Sequence, residues 1–509
     1  MMPAKTYYQL GGYNAHVRWR PDPADLYSNK NLESLAEAIM SPRSPLRSKN
    51  GADNVELILG IKLTGASYLY LTHEQASKCE STLKLLWNKR QPRPPQSSDF
   101  ESLSPIYFRS VEELKAKLVA MKPKKGNGDT SQANAMYKSG SVDGRARGVF
   151  EHNRLFYRIL QSDNPLDVGK YDLRCDAQWL RSNLRVVTVT FNLWNGDERA
   201  VSDRQNSPNI LDVGIATASG PSLTLDRDHI RHFTVEGRNA RLAQGAGTTR
   251  AASIYGESEC LAEDAIGQHL KLLFNSAQPT ILLTMGHEWT KHILRYLGVA
   301  YRTAPLLSLL HLSEAKGNSS ESNERRSTAG RSRSRSPRPK IPRGPSGSTG
   351  RRAREEEDSH TPSLPLVSST TNPTLHVVDA EALYLTMMRE PTGSRSLTTS
   401  ELASRLETPY DRTKWCAGNE APLLIELWKK MISSSSIDQQ RVMRQASVDL
   451  ARTARAVSMT QSVGREVEEE SDNDPHEHTG PAGMNCGKAS IDPDDETDFE
   501  SDDAGDEDD

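Results

Sequence analysis

Apolar residues fall into short runs with two periodicities across residues 180–435. LRVVTVTFNL (184–193), NILDVGIATA (209–218) and HIRHFTVEG (229–237) are dense in β-branched residues and predict three consecutive strands. SECLAEDAIGQHLKLLF (258–274) has helical spacing behind a serine, and PTILLTMG (279–286) predicts a buried strand. HEWTKHILRYLG (287–298) predicts a helix closed by Gly298. Further on, TLHVVDAEALYLTMM predicts a strand running into a helix, and NEAPLLIELWKKMI (419–432) another helix. Three strands in a row favour an antiparallel meander, and strands separated by helices favour parallel additions. The expected fold is α/β, a mixed five-stranded sheet flanked by helices.

The flanks are patterned differently. Residues 1–150 predict a mostly irregular region with a small ordered unit at 54–90, where VELILGIKL and ASYLYLT read as strands and HEQASKCESTLKLLW as a helix. LESLAEAIM, SVEELKAKLVAM and VFEHNRLFYRIL have helical spacing, the second with a serine in capping position. DQQRVMRQASVDLARTARAV (438–457) is helical in period with a weak apolar face. The stretch 313–370 is rich in Ser, Arg, Pro and Gly, and 460–509 is strongly acidic; both are expected to be disordered.

Composition narrows the class. Only 35% of the 509 residues are hydrophobic, which favours one main core with disordered additions. The net charge of -3 conceals a basic tract opposed to an acidic tail. The five cysteines are scattered and never spaced as CxxC, which argues against a disulfide framework or a zinc ribbon and for a reducing compartment. No apolar run approaches the ~20 residues of a membrane span. The N-terminus lacks the apolar centre of a signal peptide. An intracellular protein of the nucleus or cytoplasm, without a membrane partner, is expected.

Five strings carry chemistry: FNLW, ILDVGIA, IYGESE, TMGHEW and WCAGNEA. In order and spacing they resemble a fungal family of RNase H-like domains related to DEDDh 3′–5′ exonucleases and to an mRNA-export cofactor of the Gfd type. The resemblance covers about half the chain, residues 180–435, and YGESE, MGHEW and AGNEA are its most specific parts. It implies an RNase H-like sheet and two-metal phosphodiester hydrolysis, in which two Mg²⁺ ions about 4 Å apart bracket the phosphate. The family's acid-x-acid pair falls on Asn192 and Trp194, its later acids on Glu288 and Glu420, and its catalytic histidine on Trp415. Asn192 offers one neutral oxygen and Trp194 none; Glu288 and Glu420 keep charge on a longer side chain; an indole has no basic nitrogen to act as a general base. The active site therefore reads as degenerate. Asp197, Glu198, Asp212 and Asp379 are candidate rescue acids, and Glu288, Glu420 and Asp212 are the candidate metal ligands. Asp197 and Glu198 also read as turn residues, and Asp212 also reads as a structural hydrogen-bonding group. His287 reads as a helix-start residue, and Gly286 and Gly418 as sites of tight turns. Trp194, Trp289 and Trp415 read as core residues or as base-stacking platforms.

In the tract RSRSRSPRPK, Arg331, Arg333, Arg335, Arg338 and Lys340 are nucleic-acid-binding candidates, or a nuclear-localisation patch, through their phosphate-seeking charge. Phosphorylation of its serines would reverse that charge. The leading expectation is a non-catalytic RNase H-like module that needs no cofactor and binds RNA, single-stranded nucleic acid or a protein partner. The alternatives are an active Mg²⁺-dependent 3′–5′ exonuclease and a pure protein-interaction scaffold.

Overall fold

The computed structural model describes residues 5–18, 28–47, 54–87, 93–123, 129, 131–134, 142–161, 166–194, 196–238, 249–250, 252–311, 372–390, 397–410, 414–447 and 453. One unit spans Met1–Arg444; of the other, Gln445–Asp509, only 445–447 and 453 are described. The stretch 313–370, with its Arg/Ser tract, and the tail 460–509 lie outside the described residues.

The first unit opens with strands β1 (Tyr7–Leu10) and β2 (Val17–Arg18) and helix α1 (Asn29–Met40). Then come β3 (Val55–Lys62), β4 (Ser67–Thr72), α2 (His73–Leu83), β5 (Leu86–Trp87), β6 (Phe100–Phe108) and α3 (Val111–Ala120). The strands form a six-stranded sheet in the order β5-β2-β1-β4-β3-β6. The ordered stretch at 54–90 is thus the middle of a larger sheet, and residues 1–150 hold more regular structure than their composition predicts. Pro105 hides β6 from a pattern reading. A proline lacks the ladder donor and belongs on an edge strand, and β6 is at the edge. Ser110 caps α3 as its position predicts, accepting from Glu113 N at 3.2 Å.

Helix α4 (Val142–Gln161) packs on β6 and on the later helices, so it ties the two halves together. Its interior is charged as well as apolar. Buried Arg154 pairs with buried Glu151, which also accepts from Ser104 Oγ at 2.6 Å and from Ile437 N at 2.8 Å. Arg147 pairs with Asp438, which Lys117 also reaches at 2.7 Å. These contacts anchor the helical stretch that begins at 437.

After α5 (Ala177–Asn183) the second sheet begins. Its elements are β7 (Arg185–Leu193), α6 (Val201–Asn206), β8 (Ile210–Ser219), β9 (Thr224–Leu225), β10 (Arg231–Val235), β11 (Thr249–Arg250), β12 (Ser258–Leu261), α7 (Glu263–Phe274), β13 (Thr280–Thr284) and α8 (His287–Tyr296). β14 (Arg302–Ala304), β15 (Thr374–Asp379), α9 (Ala380–Met388), α10 (Thr399–Arg405), β16 (Lys414–Trp415) and α11 (Ala417–Ile432) complete it. The order is β12-β10-β8-β7-β13-β15-β14, with β9 on β8. β8 runs antiparallel to β7 and β10, whereas β7, β13, β15 and β14 run parallel. The fold is mixed α/β, and the five expected strands form the centre of this sheet. Short strands extend it at both edges. One of them corrects the helix expected at 258–274: Ser258–Leu261 pairs in parallel with His232–Val235, and the helix starts at Glu263. Gly298 closes α8 with φ 72°, as expected. Among the described residues, no helix is long and apolar enough to cross a membrane.

Alternation along the central strands sorts their side chains onto two faces. Val187, Val189, Val213, Ile215 and Phe233 pack with Ile266 and Leu270 of α7 and Ile293 and Leu294 of α8. Val186, Ala216 and Ala218 face the other way, into the core that holds Ala421, Leu424 and Ile425 of α11. Each buried Val, Leu, Ile or Phe among them contributes about 1.5–3 kcal/mol.

Candidate functional site

The α11 face of β8 reads Asp212, Gly214, Ala216, Ala218, and smallness here is what admits the helix. A Cβ on Gly214 would lie 1.8 Å from Ala417 O, and one on Gly418 would lie 2.6 Å from His232 Cβ. The GIA and AGNEA strings are therefore two halves of one contact. Gly418 serves close approach between helix and strand, which corrects its reading as a tight turn; Gly286, with φ 76° at the start of α8, does make one. β7 supplies Thr190, whose Oγ1 donates to Ala417 O at 2.8 Å, and Thr188, whose Oγ1 donates to Ala421 O at 2.9 Å.

Beyond Thr190 the same face becomes a polar ladder across four strands. Asn192 of β7 stands opposite Asp212 of β8 and donates from Nδ2 to Oδ1 at 2.9 Å. Asp212 Oδ2 is 3.5 Å from Nε2 of His232 on β10. His232 Nδ1 is 2.6 Å from Ser258 Oγ on β12. The first turn of α11 closes the ladder from above. Ala417 N donates to Asp212 Oδ1 at 3.4 Å, and Cys416 Sγ lies 3.4 Å from His232 Nε2. Asp212 and Cys416 are fully buried.

Charge in this patch is set by the neighbours. Burial pulls the His232 imidazolium down, but Asp212 and Cys416 outweigh it and bring its pKa to about 9. Burial, with Asp212 nearby, pushes the Glu420 carboxyl up to about 8. At neutral pH a protonated His232 and a neutral Glu420 carboxylic acid thus flank Asp212.

The other anticipated residues lie elsewhere or are otherwise engaged. Glu288 is the second residue of α8; its side chain is 73% exposed and pairs with Lys291 at 3.4 Å. It is not one of the groups bonded into the ladder, so the candidate set of Glu288, Glu420 and Asp212 is not drawn together as a unit. Asp197 is a turn residue, held well below the usual carboxylate range by hydrogen bonds from Arg199. Glu198 is exposed. Asp379 accepts from the backbone N–H groups of Gly286, His287, Glu381 and Ala382. His287 starts α8, half-buried, and its burial pulls its pKa down. Trp194 is half-buried, its indole against Gly196 of its own turn, and Trp289 is half-buried on α8. The backbone of Trp415 pairs with Arg250; its side chain, like Arg331, Arg333, Arg335, Arg338 and Lys340, lies outside what is described.

A pair of magnesium ions requires several anionic oxygens at once. Here Asp212 Oδ1 already accepts from Asn192 and the Ala417 N–H while Oδ2 is ion-paired with His232 at 3.5 Å, Glu420 keeps its proton to about pH 8, and Glu288 faces solvent. Among the described residues, no group of three or more His, Cys, Asp or Glu side chains is arranged to hold a metal ion. These residues do not fit a two-ion centre. The arrangement instead fixes the start of α11 to the sheet. His232, Ser258 and Cys416 escaped sequence reasoning, although the WCAGNEA string includes Cys416 and strand alternation puts His232 on the Asp212 face.

No protein-family model matches this chain, and no curated protein matches it.

Proposed function

We propose that the chain is a non-catalytic RNase H-like module that binds RNA or single-stranded nucleic acid. The strand order, with the second strand antiparallel to its neighbours, supports the RNase H-like reading. The observation that carries the non-catalytic reading is the engagement of Asp212, the best-placed acid, by three neighbours of its own fold. A carboxylate whose Oδ1 accepts two hydrogen bonds and whose Oδ2 is ion-paired with His232 at 3.5 Å has little to offer a hard cation. The Arg/Ser tract carries the binding: a run of guanidinium groups neutralises phosphates and releases their counterions. The family resemblance favours a nuclear or mRNA-linked setting.

The test uses the full chain and a fluorescein-labelled oligo-uridine RNA, with anisotropy measured across a salt series. Replacing Arg331, Arg333, Arg335, Arg338 and Lys340 together by alanine should weaken binding and flatten the salt dependence, each lost phosphate contact lowering the log–log slope by about 0.7. Unchanged affinity removes the tract from the binding site, and no binding by the wild type favours a protein scaffold. Mg²⁺- or Mn²⁺-dependent degradation of the RNA that Glu420→Gln abolishes would overturn the non-catalytic reading.

A further inference from the structure

Two segments distant in sequence are stitched together where α11 begins. β11 and β16 pair in parallel, Thr249 with Lys414 and Arg250 with Trp415, as a sheet separate from the other two. Asn419 continues the stitch: Oδ1 accepts from Ile254 N at 2.9 Å and Nδ2 donates to Ala252 O at 3.2 Å. A side-chain amide has the donor and acceptor of a peptide group, so Asn419 acts as one more rung. Both segments lead to the ladder. Cys416, the residue after β16, sits on the Nε2 side of His232, and Ser258, at the head of β12, sits on the Nδ1 side.

The stitch is slight beside what adjoins it. Ile254 is 76% exposed and residues 256–260 are all exposed, while Tyr255 is partly buried against the core. Cys416, Ala417 and Gly418 are buried. A unit with few buried apolar contacts and few hydrogen bonds opens at much lower free energy than the core.

We propose that the described residues 249–250 and 252–255, pinned by Asn419, form a releasable strap across the start of α11, and that its opening frees Cys416 and uncovers the His232 end of the ladder. The strap is a conformational device of the fold and does not depend on nucleic-acid binding.

Timed maleimide labelling of the full-length protein, read by peptide mass spectrometry, tests it. With Cys260→Ser and Cys486→Ser, the remaining thiols are Cys79, Cys175 and Cys416, all buried. Cys79 and Cys175 report opening of the rest of the unit. Cys416 should label at least about tenfold faster than either, the signature of local rather than global opening. Asn419→Ala, which deletes both side-chain bonds, should speed Cys416 about tenfold more and leave the other two unchanged. Asn419→Asp, which keeps the acceptor, should give a smaller increase. One common rate for all three thiols in the wild type overturns the strap, whatever becomes of the variants. So does equal acceleration of all three by Asn419→Ala.

Discussion

Gly214→Ala perturbs the contact on which the site is built. Its Cβ would sit 1.8 Å from Ala417 O, 2.2 Å from Ala417 C and 2.7 Å from Gly418 N. Such contacts do not occur below 3.0 Å, so the carbonyl oxygen must retreat by about 1.2 Å (3.0 − 1.8). All three atoms are backbone in the first turn of a helix. None can rotate aside, so α11 itself must lift. Lifting stretches the Thr190–Ala417 bond of 2.8 Å and the already long Ala417–Asp212 contact of 3.4 Å. Overpacking of this kind costs about 1–3 kcal/mol. Two weakened hydrogen bonds add about 1 kcal/mol each. The expected loss, about 3–5 kcal/mol, is a large part of the ~5–15 kcal/mol by which folded proteins are stable. Urea denaturation followed by tryptophan fluorescence and far-UV circular dichroism measures it, and at a slope of about 3 kcal/mol/M the midpoint should fall by more than about 1 M. Gly196→Ala is the control. The three atoms nearest its new Cβ all belong to the Trp194 ring, at 3.1–3.2 Å, a side chain that can give way, so its cost should stay within about 1 kcal/mol. If Gly214→Ala is as stable as that control, the close approach of α11 to β8 is wrong.

Other substitutions probe the charges. Asp438→Asn strands the buried Arg147 and should cost about 3–5 kcal/mol at pH 7. Burial raises the Asp438 pKa, but Arg147 and Lys117 outweigh it and hold the carboxyl well below the usual range. Its contribution is therefore present above pH ~3.9 and is lost as pH falls through the lowered native value, so the wild-type advantage should shrink in acid; matching midpoints at pH 7 would sink this account. Glu420 behaves oppositely. Its pKa is raised from about 4.3 unfolded to about 8 folded, so wild type should lose stability relative to Glu420→Gln as pH climbs through that window, and parallel pH profiles would refute it. His232, raised to about 9, stabilises fully below pH ~6.5 and less as pH rises through 9; a wild-type profile whose slope between those values is unchanged in His232→Gln would exclude that role. Asn192→Asp sets a second carboxylate against Asp212 in place of the 2.9 Å amide donor, so it should destabilise the protein at pH 7 and confer no Mg²⁺-dependent hydrolysis of RNA. Hydrolysis gained by that variant would show that only one acid was missing.

The central strands were legible because their alternation is strong. Along β7, Val187 and Val189 fall on one face and Thr188, Thr190 and Asn192 on the other, and a one-residue slip would exchange them. Strands held by partners rather than by their own pattern were hidden. β6 carries Pro105, and SECL resembles the start of the helix that follows it until the open edge of β10 captures it. The site was legible to the same degree. Asn192, Asp212 and Glu420 could be named from short strings, but His232 joins them through register between strands, which no local pattern specifies. Its position opposite Gly214 exists only once β8 and β10 pair.

The acids show why motif position alone misleads about chemistry. At the start of α8 the residue in the motif is Glu288, which points outward beside Lys291. The carboxylate that holds that helix start is Asp379 of β15, which accepts from Gly286 N at 3.2 Å and His287 N at 2.8 Å while also capping α9. At the start of α11 the corresponding role falls to Asp212 of β8, through Ala417 N. In both places an acid from a strand neutralises the positive end of a helix, where anionic oxygens are favoured without any metal. A strand acid next to a helix start is the geometry that a two-metal nuclease also requires. What separates the two uses is whether the oxygens are taken up by the protein's own groups or stand open to a cation: both Asp379 oxygens and Asp212 Oδ1 accept from N–H groups, and Asp212 Oδ2 is ion-paired with His232.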